Sequence, residues 1–144
     1  MVLLPIYNNT MKIIKINFST LTQNIPLTDF KMFYKGLSKC GPIARKKRGR
    51  YHYIAITKYN KIIGFISYFK QNNNTCHIDL LEIHPNHRKK GLGKKLIQYL
   101  EKQCISNNIK TIRIKCKSNR LIKYYAKLNF KKEYKSKLRM FKHI

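Results

Sequence analysis

Acidic residues are what this sequence has least of. Asp29, Asp79, Glu82, Glu101 and Glu133 stand against 32 lysines and arginines, giving 144 residues a formal charge of +27. Such a field repels cations and attracts anions in general: nucleic acid, acidic protein, anionic lipid, phosphorylated cofactors. Lys, Asn and Ile are abundant together, which also fits an AT-rich genome, so the charge alone names no partner. Cysteine is sparse too. Cys40, Cys76, Cys104 and Cys116 lie far apart with no C-x-x-C pair, so neither a zinc site nor a redox motif is expected, and no metal is called for. Each sits in or beside a patterned apolar segment, as reduced, buried thiols of a cytoplasmic compartment would. No stretch approaches the roughly 18 apolar residues of a membrane span. The opening MVLLPIYNNT has no basic leader and is interrupted by Pro5, so it does not read as a signal peptide.

What is present suits one domain. At 43% hydrophobic residues the chain holds enough apolar material for one core and too little for two full-sized ones. Residues 1–11 read as a loose N-terminal extension, with the domain running from 12 to 144. KIIKINF, residues 12–18, is rich in β-branched residues and reads as a strand. A helix follows, capped by Thr28, with Phe30, Phe33 and Leu37 at helical spacing and Gly41-Pro42 as its stop. RKKRGR, residues 45–50, is a basic cluster of the kind that serves as a nuclear signal, a nucleic-acid patch or simply a solvated loop.

From 51 to 83 three strands follow with short breaks at Tyr59-Asn60 and Gln71–Asn74, an antiparallel meander. Leu92, Leu96, Ile97, Leu100, Cys104 and Ile105 then make one apolar helical stripe. TIRIKCK alternates, with Ile112, Ile114 and Cys116 on one face. A short helix near 121–128 and a closing β pair over about 130–143 end the chain. The order β-α-β-β-β-α-β-α-β-β predicts an α/β (α+β) fold: a mixed, largely antiparallel sheet of about six to seven strands flanked by helices.

The stretch HPNHRKKGLGKKL, residues 84–96, places Gly91 and Gly93 between a strand ending near Ile83 and a helix starting near Leu92. The first turn of a helix leaves amide N–H groups unpaired and adds partial positive charge, so an anion docks there. Glycine removes the β-carbons that would hold a diphosphate off the backbone, and Lys89, Lys90 and Lys94 add charge at the rim. The spacing excludes a G-x-G-x-x-G dinucleotide fingerprint, because residue 96 is Leu, and there is no G-K-[ST] of a P-loop.

R-x-x-G-x-G over Arg88–Gly93, preceded by I-H-P and opening an amphipathic helix, resembles the acetyl-CoA pyrophosphate loop of the GNAT superfamily of N-acetyltransferases. YYAKLNF, residues 124–130, is similar to that family's L-Y-x-x-x-G-F block, and the element order agrees over about residues 12–144. Two departures stand out. Asn129 replaces the usual glycine, at a position where asparagine tolerates a left-handed backbone better than most residues. Asn119 precedes Tyr125 by one residue fewer than the common spacing.

The resemblance implies direct attack of an amine on the thioester of acetyl-CoA in a ternary complex. It implies that Arg88, Lys89, Lys90, Gly91, Leu92, Gly93, Lys94 and Asn119 bind the cofactor. Leu81 falls where the family uses a backbone N–H against the acetyl carbonyl, and Ile83 where backbone groups pair with the pantetheine arm. His77, four residues before Leu81, occupies the position of a catalytic glutamate or histidine in related enzymes. With an ordinary pKa near ~6.5 it suits a general base, with Asp79 or water as rivals. Tyr125 matches the family's tyrosine by its spacing to Phe130 and is the expected acid for the leaving thiolate. Its neighbour Tyr124 is turned ~100° away on a helix. Strand alternation places His77, Asp79, Leu81 and Ile83 on one face and Cys76, Ile78 and Leu80 on the other.

The acceptor is not legible. The field repels free polyamines, aminoglycosides and lysine-rich tails unless Asp29, Asp79 and Glu82 make an acidic pocket, and favours a protein-borne or RNA-linked amine. The alternative is a basic nucleic-acid-binding protein on a non-catalytic scaffold, with RKKRGR and KKEYKSKLR as its contacts.

Overall fold

The computed structural model describes residues 11–17, 51–59, 61–136 and 138–144. The expected helix after Thr28, the basic run 45–50, Asp29, Cys40 and residues 1–10 lie outside the described residues.

Ten segments are described: β1 (Lys12–Ile16), β2 (Tyr51–Lys58), β3 (Lys61–Lys70), β4 (Thr75–Ile83), a 3-10 turn (Pro85–His87), α1 (Leu92–Ser106), β5 (Thr111–Lys115), α2 (Asn119–Lys127), β6 (Lys131–Lys132) and β7 (Arg139–His143). The strands form one seven-stranded sheet in the order β1-β2-β3-β4-β5-β7-β6. Every pairing is antiparallel except β4 with β5, for which α1 is the crossover. The mixed, mostly antiparallel sheet is therefore as expected. The first strand and the closing pair are shorter than anticipated, and α2 starts earlier because the hydroxyl of Ser118 accepts from the Leu121 amide and caps it.

Burial explains why β2 and β3 read as nearly continuous apolar runs: both faces of this part of the sheet are covered. On one face, Ile54, Ile56, Ile66, Ile78, Ile112 and Met140 pack under α1 and α2. On the other, Tyr53, Ala55, Ile62 and Phe65 form a separate cluster. α1 contributes Leu92, Leu96, Ile97, Leu100 and Cys104 to the first cluster. Ile105, expected in the same stripe, is 60% exposed, because it lies about 100° past Cys104 around the helix, beyond the buried arc. The thiols of Cys76 and Cys104 hydrogen-bond between β4 and α1, which pushes Cys76 up. Cys116 is also buried and free.

Both helices stop in the same way. In α2 the Phe130 amide donates to the Tyr125 carbonyl (3.1 Å) and the Asn129 amide to that of Ala126 (3.1 Å). In α1 the Ile109 amide donates to Cys104 (2.9 Å) and the Asn108 amide to Ile105 (3.2 Å). Asn108 and Asn129 carry the left-handed turn, at φ 59° and 70°. This is the Schellman closure with asparagine in glycine's usual place.

Alternation along β4 does not hold. Ser67 of β3 faces Leu80 and Tyr68 faces Ile78, so Asp79 is an extra, bulged residue. The bulge resets the phase. Leu81 and Ile83 pack with Cys76 and Ile78 against the helix-side core, and Leu80 goes to the opposite cluster. The expected shared face of His77 with Leu81 and Ile83 is thus corrected. The doublet Leu80-Leu81 was the sign of it, since two consecutive apolar residues break a period of two.

Candidate active site

β4 and β5 pair only from Thr75 to Ile78 and from Thr111 to Ile114. Beyond that point β4 runs on to Ile83 with, among the described residues, a ladder partner on the β3 side alone. This one-sided stretch leads into the glycine loop. The His84 imidazole accepts from the Asn86 amide at 3.0 Å and caps the 3-10 turn. Arg88 folds back so that its Nε donates to the Ile83 carbonyl at 2.9 Å, tying the loop to the end of β4.

The loop turns through two left-handed residues, Lys89 (φ 62°) and Gly91 (φ 75°). Left-handed residues in such a turn aim successive amides inward and make an anion-binding concavity. Gly91 is the N-cap of α1 and no side chain caps the helix there. The first-turn amides therefore have no side-chain acceptor, and an anion fills that role. Lys90 and Lys94 stand exposed at the rim of this concavity, while Leu92 is buried and offers only its backbone. Lys94 also borders a cleft of about 240 Å³ between α1 and the end of α2, where Lys127 and the Glu101–Lys142 ion pair lie.

The two glycines have different tasks. A Cβ at Gly91 would meet nothing within 4 Å, so glycine is there for its positive φ. Gly93 has no positive φ, but a Cβ there would collide with the Tyr124 hydroxyl oxygen and come 3.5 Å from Leu81 Cδ2. Tyr124, expected to turn away from the site, reaches across from α2 to the first turn of α1. No feature of the sequence announced this, because it depends on how two helices cross.

Tyr125 lies behind it, 2% exposed, its ring edge-on to Tyr124 (5.2 Å, 85°) and to Phe130 (5.3 Å, 71°). Burial, and then the neighbouring Tyr124, Cys116 and Glu82, push its phenol well above the usual tyrosine range, so it stays protonated. Asn119 opens α2 and is exposed; the capping is done by Ser118.

His77 is on the other face of the sheet from Tyr125, its ring 5.0 Å from Phe69. Arg113, beside it in the β4–β5 ladder, donates through Nε to Glu133 at 2.7 Å. Burial lowers the His77 pKa; Asp79 opposes this, while Arg113 and Arg139 add to it. The imidazole is neutral near pH 7. The structure therefore brings together Leu81, Gly93 and Tyr124, ties Arg88 to Ile83, and holds His77 and Tyr125 on opposite sides. Among the described residues no cluster of His, Cys, Asp or Glu could hold a metal ion, and no helix is long and apolar enough to cross a membrane.

Comparison with known proteins bears on this arrangement. The model of the acetyltransferase (GNAT) family matches residues 19–130. The chain belongs to the GNAT family. This member's sheet superposes on solved structures at low identity. A GNAT acetyltransferase from Elizabethkingia anophelis with acetyl-CoA bound is 14% identical, covers 95% of this chain and 99% of its own, and has a TM-score of 0.71. The PaiA N-acetyltransferase of Thermoplasma acidophilum, in complex with coenzyme A, is 19% identical over 94% of this chain and 99% of its own, with a TM-score of 0.69. A GNAT acetyltransferase from Staphylococcus aureus gives 15%, 93%, 99% and 0.71. Comparison with curated protein sequences gives no match.

Proposed function

We propose that the chain transfers the acetyl group of acetyl-CoA to a primary amine by direct attack in a ternary complex. The observation that carries this is the uncapped first turn of α1, entered through left-handed Gly91 and lying against Leu81 in the one-sided stretch of β4. When bound, acetyl-CoA supplies an activated thioester. Backbone amides of residues 89–94 hold its diphosphate, and the β4 main chain at Leu81 offers a donor for the developing oxyanion. The amine must lose a proton as it adds to the carbonyl carbon and the thiolate must gain one as it leaves, so base and acid serve opposite ends of the transfer. His77 and Tyr125, on opposite faces of the sheet, suit these two ends: the neutral imidazole takes the amine's proton, directly or through water, and the phenol protonates the thiolate. Asp79, exposed at the bulge, is the rival base.

The acceptor we favour is a protein-borne or RNA-linked amine. The support is the charge of +27, which repels free cationic small molecules, and the ion pairs that Arg113 and Lys142 make with Glu133 and Glu101. Asp79 and Glu82 are the described acids on β4. A purely nucleic-acid-binding role would give the left-handed turn at Gly91 no task. Buried thiols fit a cytoplasmic setting. Incubation with labelled acetyl-CoA and fractionated lysate tests the reading: label is expected in protein or RNA. Label confined to free small molecules would overturn the acceptor assignment, and no transfer to any fraction would overturn the enzymatic one.

A further inference from the structure

Tyr124, the neighbour of Tyr125 on α2, has a hydroxyl that the proposed transfer does not use. Three observations define where it stands. The hydroxyl oxygen occupies the space that a Cβ on Gly93 would need, and Leu81 Cδ2 borders the same point at 3.5 Å. The residue is 36% exposed, so its ring is reachable from solvent. Its ring is braced edge-on against Tyr125 at 5.2 Å, which fixes the hydroxyl in place.

Gly93 supplies a further argument. Its backbone has no positive φ, so nothing conformational demands glycine; what its missing side chain makes room for is the Tyr124 hydroxyl. The geometry points to Tyr124 as a cofactor-binding residue, its hydroxyl standing beside the first turn of α1 and Leu81 to donate a hydrogen bond to an oxygen of acetyl-CoA. This rests on the reading that the chain binds acetyl-CoA. The first-turn amides are all donors, and a phenol hydroxyl is the group that adds one more donor from the α2 side of the groove. Partial burial raises its pKa, so the proton stays on the oxygen through the physiological range.

Calorimetric titration with acetyl-CoA, together with thermal melting of the apo proteins, tests the assignment. Tyr124→Phe removes one oxygen and is expected to weaken binding about three- to tenfold, the worth of a net neutral hydrogen bond, with Tm unchanged. Gly93→Ala, whose Cβ displaces the hydroxyl, should weaken binding at least as much, and adding Tyr124→Phe to it should cost nothing more. Equal affinity of wild type and Tyr124→Phe would overturn the inference while leaving acetyl-CoA binding intact. A loss of affinity matched by a fall in Tm would overturn it as well, in favour of a packing role. Failure of the wild type to bind acetyl-CoA would overturn the functional reading beneath it.

Discussion

Substitution of Gly91 separates backbone conformation from space. Residue 91 sits at φ 75°, and a Cβ added there would have nothing within 4 Å, so a side chain meets no obstacle and the whole cost is conformational. For an L-residue the left-handed region costs about 1–2 kcal/mol. Unfolding entropy of ~2.1 cal/mol/K per residue over the 144-residue chain comes to ~0.3 kcal/mol/K, so each kcal/mol lowers Tm by about 3 °C. Gly91→Ala should therefore lose about 3–6 °C by the same relation. Gly91→Asn should lose less, because asparagine visits this region readily, and Gly91→Val more, because a β-branched residue does so least. The same order should appear in acetyl-CoA affinity, since the left-handed turn aims the amides of the cradle. Differential scanning calorimetry of the three variants, followed by titration, measures both. If alanine, asparagine and valine were equivalent, or if Gly91→Ala melted with the wild type, the conformational account of this glycine would be wrong.

Tyr125→Phe should lower kcat about 10²–10⁴-fold with acetyl-CoA affinity nearly unchanged, because the proton it gives matters only as the thiolate leaves. A fall below about threefold in steady-state kinetics would move the acid elsewhere. Asn129→Gly should leave Tm nearly unchanged, because asparagine already tolerates φ 70°, and Asn129→Val should lower it by about 3 °C or more, the worth of about 1 kcal/mol of backbone strain; a valine variant that melts with the wild type would refute the Schellman reading. The pKa values of His52 and His77 are lowered, chiefly by burial. A group whose folded pKa is depressed binds its proton more tightly when unfolded, so stability is full above the ordinary histidine pKa of ~6.5 and falls as pH drops below it. Tm should decline from pH 7.5 to 5.5, and His77→Gln should reduce that decline; a profile identical to wild type would remove His77 from the explanation.

Local pattern carried much of the architecture. The alternation in Thr111–Lys115, the stripe from Leu92 to Cys104 and the turn residues at 71–74 each state their element, because each is decided by burial of neighbours close in sequence. The loop was legible for the same reason: Gly91 acts through backbone conformation, Gly93 through the space it leaves and Arg88 through its bond to Ile83, all within one short stretch. The bulge at Asp79 was not, since a single inserted residue moves every later side chain to the other face and only the Leu80-Leu81 doublet hinted at it. Nor was the meeting of Tyr124 with Gly93. That contact joins residues 31 positions apart through the crossing of two helices, and no period within either helix contains it.

The parting of β4 from β5 after Ile78 and Ile114 has a consequence for how such a chain evolves. A groove bordered by an unpaired strand edge and a helix's first amides is written mainly in peptide groups, which every residue type supplies alike. Selection on cofactor binding then restrains conformation more than side-chain identity, leaving composition open to mutational pressure. Drift toward lysine, asparagine and isoleucine repaints the surface without erasing the groove. That accounts for superposition at a TM-score of 0.71 alongside 14% identity, and it predicts that swapping exposed lysines for glutamines in bulk would alter solubility and partner choice well before it altered grip on the donor.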